Sequence, residues 1–291
     1  MNFSGSLRQH SPKAFRYLAR FVALLLPARL WYPFVLRFSR LQAMILRPLI
    51  GISPYRRDRR RTILVSWLVN SWLQELSTLE QPFPIPIRVK GEEAMIRAFE
   101  NPRGMALCSV HLPLKHMGLR PLADLKRPPT AVIAGKRELV NGKFPVWGLG
   151  EGLPVLISDS TVLLKVRSIL RRGGSVAALV DNGRGVPLPH HVFHLIKSTG
   201  AQVLFVVSQL EPNGEILVEY FSPPDPFCKT DESISANLLA LQARVDRIFE
   251  APSSSQVDAD PAEQTDLNPA EQTKYARARA VIRAIRSRSA S

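Results

Sequence analysis

Between residues 88 and 250, short apolar runs alternate with longer segments of helical period, and this alternation limits the chain to an α/β layered fold. The runs MALCSV (105–110), TAVIA (130–134), SVAALV (175–180) and QVLFVVS (202–208) read as buried strands. Further strands are expected at 153–157 and 215–221, the second entered through the turn PNG at 212–214. Helices are expected over 91–100, 112–124, 160–172, 190–199 and 233–250, with Gly173-Gly174 and Gly200 as stops. Upstream, residues 62–80 (TILVSWLVNSWLQELSTLE) read as a buried helix. The stretch PFPIPI (82–87) is extended, because proline disfavours helix at its own position and at the one before. The whole describes a mixed sheet flanked by helices.

The two ends have other compositions. Residues 1–61 hold 13 Lys and Arg against one acid, Asp58, which is most of the net charge of +15. Phe21, Leu24, Leu25, Leu30, Trp31 and Phe34 are mixed among these charges. A nucleic-acid arm would be more polar, and no nucleic-acid motif is present, so nucleic acid is not expected as a partner. Basic, apolar and aromatic together suit a helical arm on an anionic membrane surface. No run of about 18 uncharged apolar residues occurs, since Pro27 and Arg29 interrupt the best stretch. On a helix over 28–49, Arg29, Arg40 and Arg47 would share one face. The apolar arc left over is wide enough either to pack on a core or to lie on a bilayer. The run YRRDRRR (55–61) closes the arm as a helix start or a headgroup contact. Residues 251–273 lack Lys and Arg, carry five acids and repeat PAEQT; residues 274–288 then bring six basic residues. Three segments follow: a basic arm (1–60), an α/β domain (61–250) and a disordered linker with a basic tail (251–291). Two cysteines without a CxxC, and no clear leader cleavage site, point to the cytoplasm.

Chemistry concentrates at strand ends. CSVHLPLKH (108–116) puts His111 just past an apolar run, at the carboxyl edge of a sheet, where such folds bind their ligands. Alone, a histidine there is more often structural. LVDNGRG (179–185) brings Asp181 to the same kind of position; its glycines, Gly183 among them, allow close backbone approach, and Arg184 suits a phosphate. A plain strand-to-loop turn is the alternative. Lys136 and Arg137 follow the run at 130–134 and suit either an anionic group or surface ion pairs. His190, His191 and His194 cluster without an adjacent carboxylate or an HExxH pattern, so no metal site is expected.

The order of these pieces resembles the lipid A biosynthesis lauroyl/myristoyl acyltransferase family, a branch of the glycerolipid acyltransferase-like fold. The resemblance runs over about residues 60–250. It consists of the helix start VKGEEAMIRAF, a strand ending in His111, a strand ending in Asp181, and STGAQVLFVV. It implies transfer of an acyl group from an acyl carrier protein or coenzyme A thioester to a hydroxyl of lipid A or another glycolipid or lipid. No bound cofactor is required. The site would lie at the cytoplasmic face of the inner membrane, with the protein bound peripherally. His111 would be the general base, and Lys136, Arg137, Asp181, Gly183 and Arg184 would bind substrate. The family pattern has a carboxylate five residues after the base, where this chain has His116. His116 is therefore expected to hold the tautomer of His111, with Asp181 as an acid that could assist. The alternative is an impaired relative that binds lipid or carrier protein at the membrane without turnover. The family's Phe- and Gly-containing loop after the Asp turn, and its Trp-led His-Arg-Arg-type ending, are missing here.

Overall fold

The computed structural model describes residues 12–46, 57–125, 129–135, 138–181 and 191–249. The basic tail lies outside these residues, as do Tyr55 and Arg56 of YRRDRRR. Three helices lead: α1 (Pro12–Leu25), α2 (Trp31–Leu46) and α3 (Arg57–Ser77). Then come β1 (Ile87–Lys90), α4 (Glu92–Glu100), β2 (Met105–Ser109), a 3-10 turn (Lys115–Leu119), α5 (Arg120–Asp124), β3 (Ala131–Ala134), β4 (Phe144–Pro145), β5 (Gly152–Leu153) and β6 (Val155–Ile157). The chain continues through α6 (Val162–Arg171), β7 (Ser175–Leu179), α7 (His191–Thr199), β8 (Gln202–Leu210), β9 (Ile216–Phe221) and α8 (Asp231–Phe249).

Seven strands form one sheet in the order β1-β9-β8-β2-β7-β3-β6, and β4 and β5 make a separate small hairpin. All neighbours in the large sheet are parallel except β8 and β9. Every residue of β2 is buried, and so is nearly all of β8, as strands covered on both faces require. Along β2, Met105 and Leu107 belong to one core, with α1 to α5 above them; Ala106 and Cys108 belong to the other, under α6, α7 and α8. The alternation of period two thus splits the apolar residues into two layers.

The α/β architecture expected from the sequence is present. The strand β1 was not legible, because IRVK is short and half polar. The helix expected over 112–124 is instead a 3-10 turn followed by a short helix. Pro121 cannot donate to the Met117 carbonyl, and Tyr220 Oη takes the Gly118 carbonyl at 2.6 Å, so the α-helical ladder is broken twice. Gly91, which opens α4, lies against β9 so closely that a Cβ would sit 1.8 Å from the Tyr220 carbonyl oxygen. Only glycine fits there, which gives the KGEE start its physical reason.

The arm is part of the core. Trp31, Tyr32, Val35, Ser39 and Ala43 form a buried stripe at helical spacing along α2. Phe34 and Phe38 pack edge-on against Trp72 of α3, and Trp31 against Phe83. Tyr32 Oη donates to the Gly214 carbonyl at 2.6 Å, and Arg40 to that of Pro212 at 2.8 Å. Of the expected arginine stripe, Arg29 lies in the 3-10 turn before α2 and Arg40 bonds the β8–β9 turn, while Arg47 lies outside the described residues. Packing on the core nevertheless leaves an apolar face. Phe21, Leu24 and Leu25 of α1 and Leu41, Met44 and Ile45 of α2 are exposed, with exposed Arg20, Arg29 and Arg37 nearby in the sequence. No helix among the described residues is long and apolar enough to cross a membrane.

Candidate active site

His111 stands two residues beyond the end of β2, and Asp181 two beyond the end of β7. The strands are parallel neighbours with Ser109 opposite Leu179. The next backbone bond, Val180 N–H to the Ser109 carbonyl at 2.8 Å, carries the register outward. Two further residues on each strand bring the histidine and the aspartate level.

The contact between them is double. The His111 backbone N–H donates to Asp181 Oδ1 at 2.9 Å, and ring Nδ1 lies 2.6 Å from the same oxygen. A carboxylate can only accept, so Nδ1 carries the proton, and in the neutral ring the lone pair is then on Nε2, the form a general base needs. The His111 side chain is 31% exposed and that of Asp181 17%, so the imidazole reaches solvent while its partner is largely shielded.

The sheet explains the location. After β2 the chain turns onto the α1–α5 side, where Leu114, Met117 and Leu122 are buried; α7, the next described element after β7, lies on the opposite side, where Phe193 and Ile196 are buried. Adjacent parallel strands whose connections leave on opposite faces open a crevice at their carboxyl ends. The His111–Asp181 pair occupies this switch point.

The two nucleophilic side chains just before His111 are committed elsewhere. Cys108 is fully buried in the α6–α8 core, and burial pushes its thiol well above the ordinary range. Ser109 Oγ donates to the Val206 carbonyl at 2.7 Å. Neither side chain is placed as a nucleophile beside His111.

His116 is not the partner of His111. It is buried at 7% exposure, tilted against the rings of Phe144 and Trp147, and neither ring nitrogen has a hydrogen-bond partner among the described residues. Its Nε2 lies 3.8 Å from Glu138 Oε1, beyond hydrogen-bond range. Glu138, four residues past β3, accepts from the Gly135 N–H at 3.0 Å and from Lys115 Nζ at 3.3 Å. The His116 ring, then Lys115 and Gly135, hold its carboxyl down at about 2 against the cost of burial. Burial first, and then the Lys115 charge, lower the pKa of His116, while Glu138 pulls the other way. These side chains line a narrow crevice with Leu107, Val132 and Ala177.

A buried neutral histidine makes stability depend on pH. Its folded pKa lies below the ordinary 6.5, so below pH 6.5 the unfolded chain binds a proton that the native chain refuses. Stability is expected to fall as pH drops from 7 to 5, with a limiting slope of about 1.4 kcal/mol per pH unit for one proton. Denaturant titrations across that range should show the fall in the natural chain and a flatter profile in His116→Phe. Equal slopes in both would mean that His116 is already protonated in the fold.

Sequence reasoning singled out His111 and Asp181, and the fold brings them together; it expected at His116 the contact with His111 that Asp181 makes. Glu138 and the crevice were missed. Lys136, Arg137, Gly183 and Arg184 lie outside the described residues. A signal for the pair existed: His111 and Asp181 follow the apolar runs MALCS and SVAAL at the same offset. Comparison with known proteins finds no matching family model and no significant match among curated proteins.

Proposed function

We propose that this chain is an acyltransferase that moves a fatty acyl group from an acyl carrier protein or coenzyme A thioester to a hydroxyl of lipid A or another glycolipid or lipid. The observation that carries the reading is the 2.6 Å contact between His111 Nδ1 and Asp181 at the switch point. His111 Nε2 takes the proton of the acceptor hydroxyl as its oxygen attacks the thioester carbonyl. The tetrahedral intermediate collapses, the C–S bond breaks, and the imidazolium returns the proton to the departing thiolate. Asp181 stabilises the imidazolium between the two transfers. Lys136, Arg137 and Arg184 are proposed to hold anionic parts of the substrates, with Gly183 giving them backbone access. The fold, by itself, supports many chemistries and adds only the place. With Asp181 supplying the carboxylate, His116 gives no ground for preferring an inactive relative.

The test is transfer of a labelled acyl group from carrier-protein and coenzyme A thioesters into total membrane lipid by the full chain. Absence of transfer from every donor would overturn the reading.

The setting is proposed to be the cytoplasmic face of the inner membrane, bound peripherally. The exposed apolar residues of α1 and α2, with exposed Arg20, Arg29 and Arg37, support it. The full chain is expected to co-sediment with anionic vesicles at low salt. High salt should weaken the basic contacts, with complete release only when mild detergent is added as well. A chain that stays in the supernatant at low salt would refute peripheral binding.

A further inference from the structure

Helix α6 turns Val166 and Leu170 into the α6–α8 core and leaves a mixed face outside. Leu163, Leu164, Arg167 and Arg171 are exposed together, because residues four and seven apart share one side of a helix. Arg172, also exposed, follows at the helix end. The charge on this side has one sign. Neither α6 nor α7, which packs beside it, contains an acidic residue. Lys165 is matched by Asp159 at 3.1 Å, whereas Arg167, Arg171 and Arg172 form no ion pair among the described residues.

The place of this face narrows its partner. β6 is parallel to β3, β3 to β7 and β7 to β2, so α6, which follows β6, begins at the sheet edge that holds His111 and Asp181. It runs back from that edge for about 15 Å, with Leu163 and Leu164 in its first turn and the arginines further along. Its core lies on the opposite side of the sheet from α1 and α2. A flat bilayer that takes the exposed apolar residues of α1 and α2 leaves α6 facing water, so the occupant is soluble. A small anion has no use for the two leucines. An acidic amphipathic helix, with carboxylates in a row beside apolar residues, matches both the charge and the hydrocarbon. We infer that α6 is the docking surface of the acyl carrier protein, an acidic helix of which lies along Leu163, Leu164, Arg167 and Arg171. The protein donor then arrives on one side of the sheet and the lipid acceptor on the other, and the two meet at the His111–Asp181 edge. The inference rests on the acyl-transfer reading and adds where the donor binds and which residues hold it.

The experiment measures binding of acyl carrier protein, carrying its thiol arm but no acyl group, to the full chain in mild detergent by fluorescence anisotropy. Binding is expected at low salt and should weaken as salt rises. Arg167→Glu combined with Arg171→Gln should weaken it about tenfold or more; glutamine avoids placing a negative charge in the last helical turn. Leu164→Gln keeps the charge and the helix propensity and should also weaken it, by several-fold, so the test survives a misfolded double variant. Circular dichroism checks each fold. Co-sedimentation with anionic vesicles should be the same in the variants as in the natural chain. No binding of carrier protein by the natural chain would overturn the inference, as would binding within about twofold of it in both variants. So would a matching loss of vesicle binding, which would make α6 a membrane contact. Carrier binding that depends on α6 without acyl transfer would leave the docking surface standing and remove the catalytic reading. Acyl transfer with carrier binding unchanged in the variants would do the reverse.

Discussion

Asp181→Asn is expected to lower acyl transfer by about 10²- to 10⁴-fold with the fold retained. The size follows from the charge. The asparagine carbonyl oxygen can take the place where both bonds meet and accept the His111 backbone N–H and Nδ1–H together, so the strand ends and the ring stay in place. What is lost is the negative charge, because a neutral amide does not stabilise the imidazolium. A steady-state assay with circular dichroism on the same preparation is the measurement. Activity within a few-fold of the natural chain would show that Asp181 only holds the loop.

His111→Ala should lose a comparable 10²- to 10⁴-fold, the usual contribution of a general base. Asp181 should then contribute little more, since its effect runs through the ring it orients. The double variant is thus expected to match His111→Ala, a non-additivity that two independent residues would not show. Added imidazole should restore part of the activity to His111→Ala and none to Asp181→Asn, where the ring still fills its place. Full activity in His111→Ala would remove the mechanism altogether.

The legible parts of this molecule were those encoded by local pattern. MALCSV, SVAALV and QVLFVVS are dominated by apolar residues because their strands lie inside the sheet. The identity of the acid was less legible because it depends on which strands are neighbours. β2 and β7 are separated by four strands in sequence and adjacent in the sheet, and local pattern does not show that adjacency. Reading along the chain favoured His116, five residues on; reading across the sheet favours Asp181, 70 residues on. Glu138 was hidden for a related reason. It follows Lys136 and Arg137 in a loop and looks like surface, yet folding sets it beside Lys115 and His116. The arm was ambiguous because α2 is apolar on more than one side: one stripe is in the core and another is exposed.

One part of the seat of the N-terminal helices is built late. Tyr32 is held by Gly214, 182 residues later in the chain, where a left-handed φ of +96° and the nearness of Leu36 suit a glycine. At about 5–20 residues per second, a ribosome needs roughly 9–36 s to cover that distance. Throughout that interval the stripe Trp31, Tyr32, Val35 and Ala43 has been made and the turn that receives Tyr32 has not. A chain released before residue 214 would therefore carry the apolar stripe of α2 with part of its binding surface missing. Early termination would yield a sticky fragment instead of a smaller folded protein.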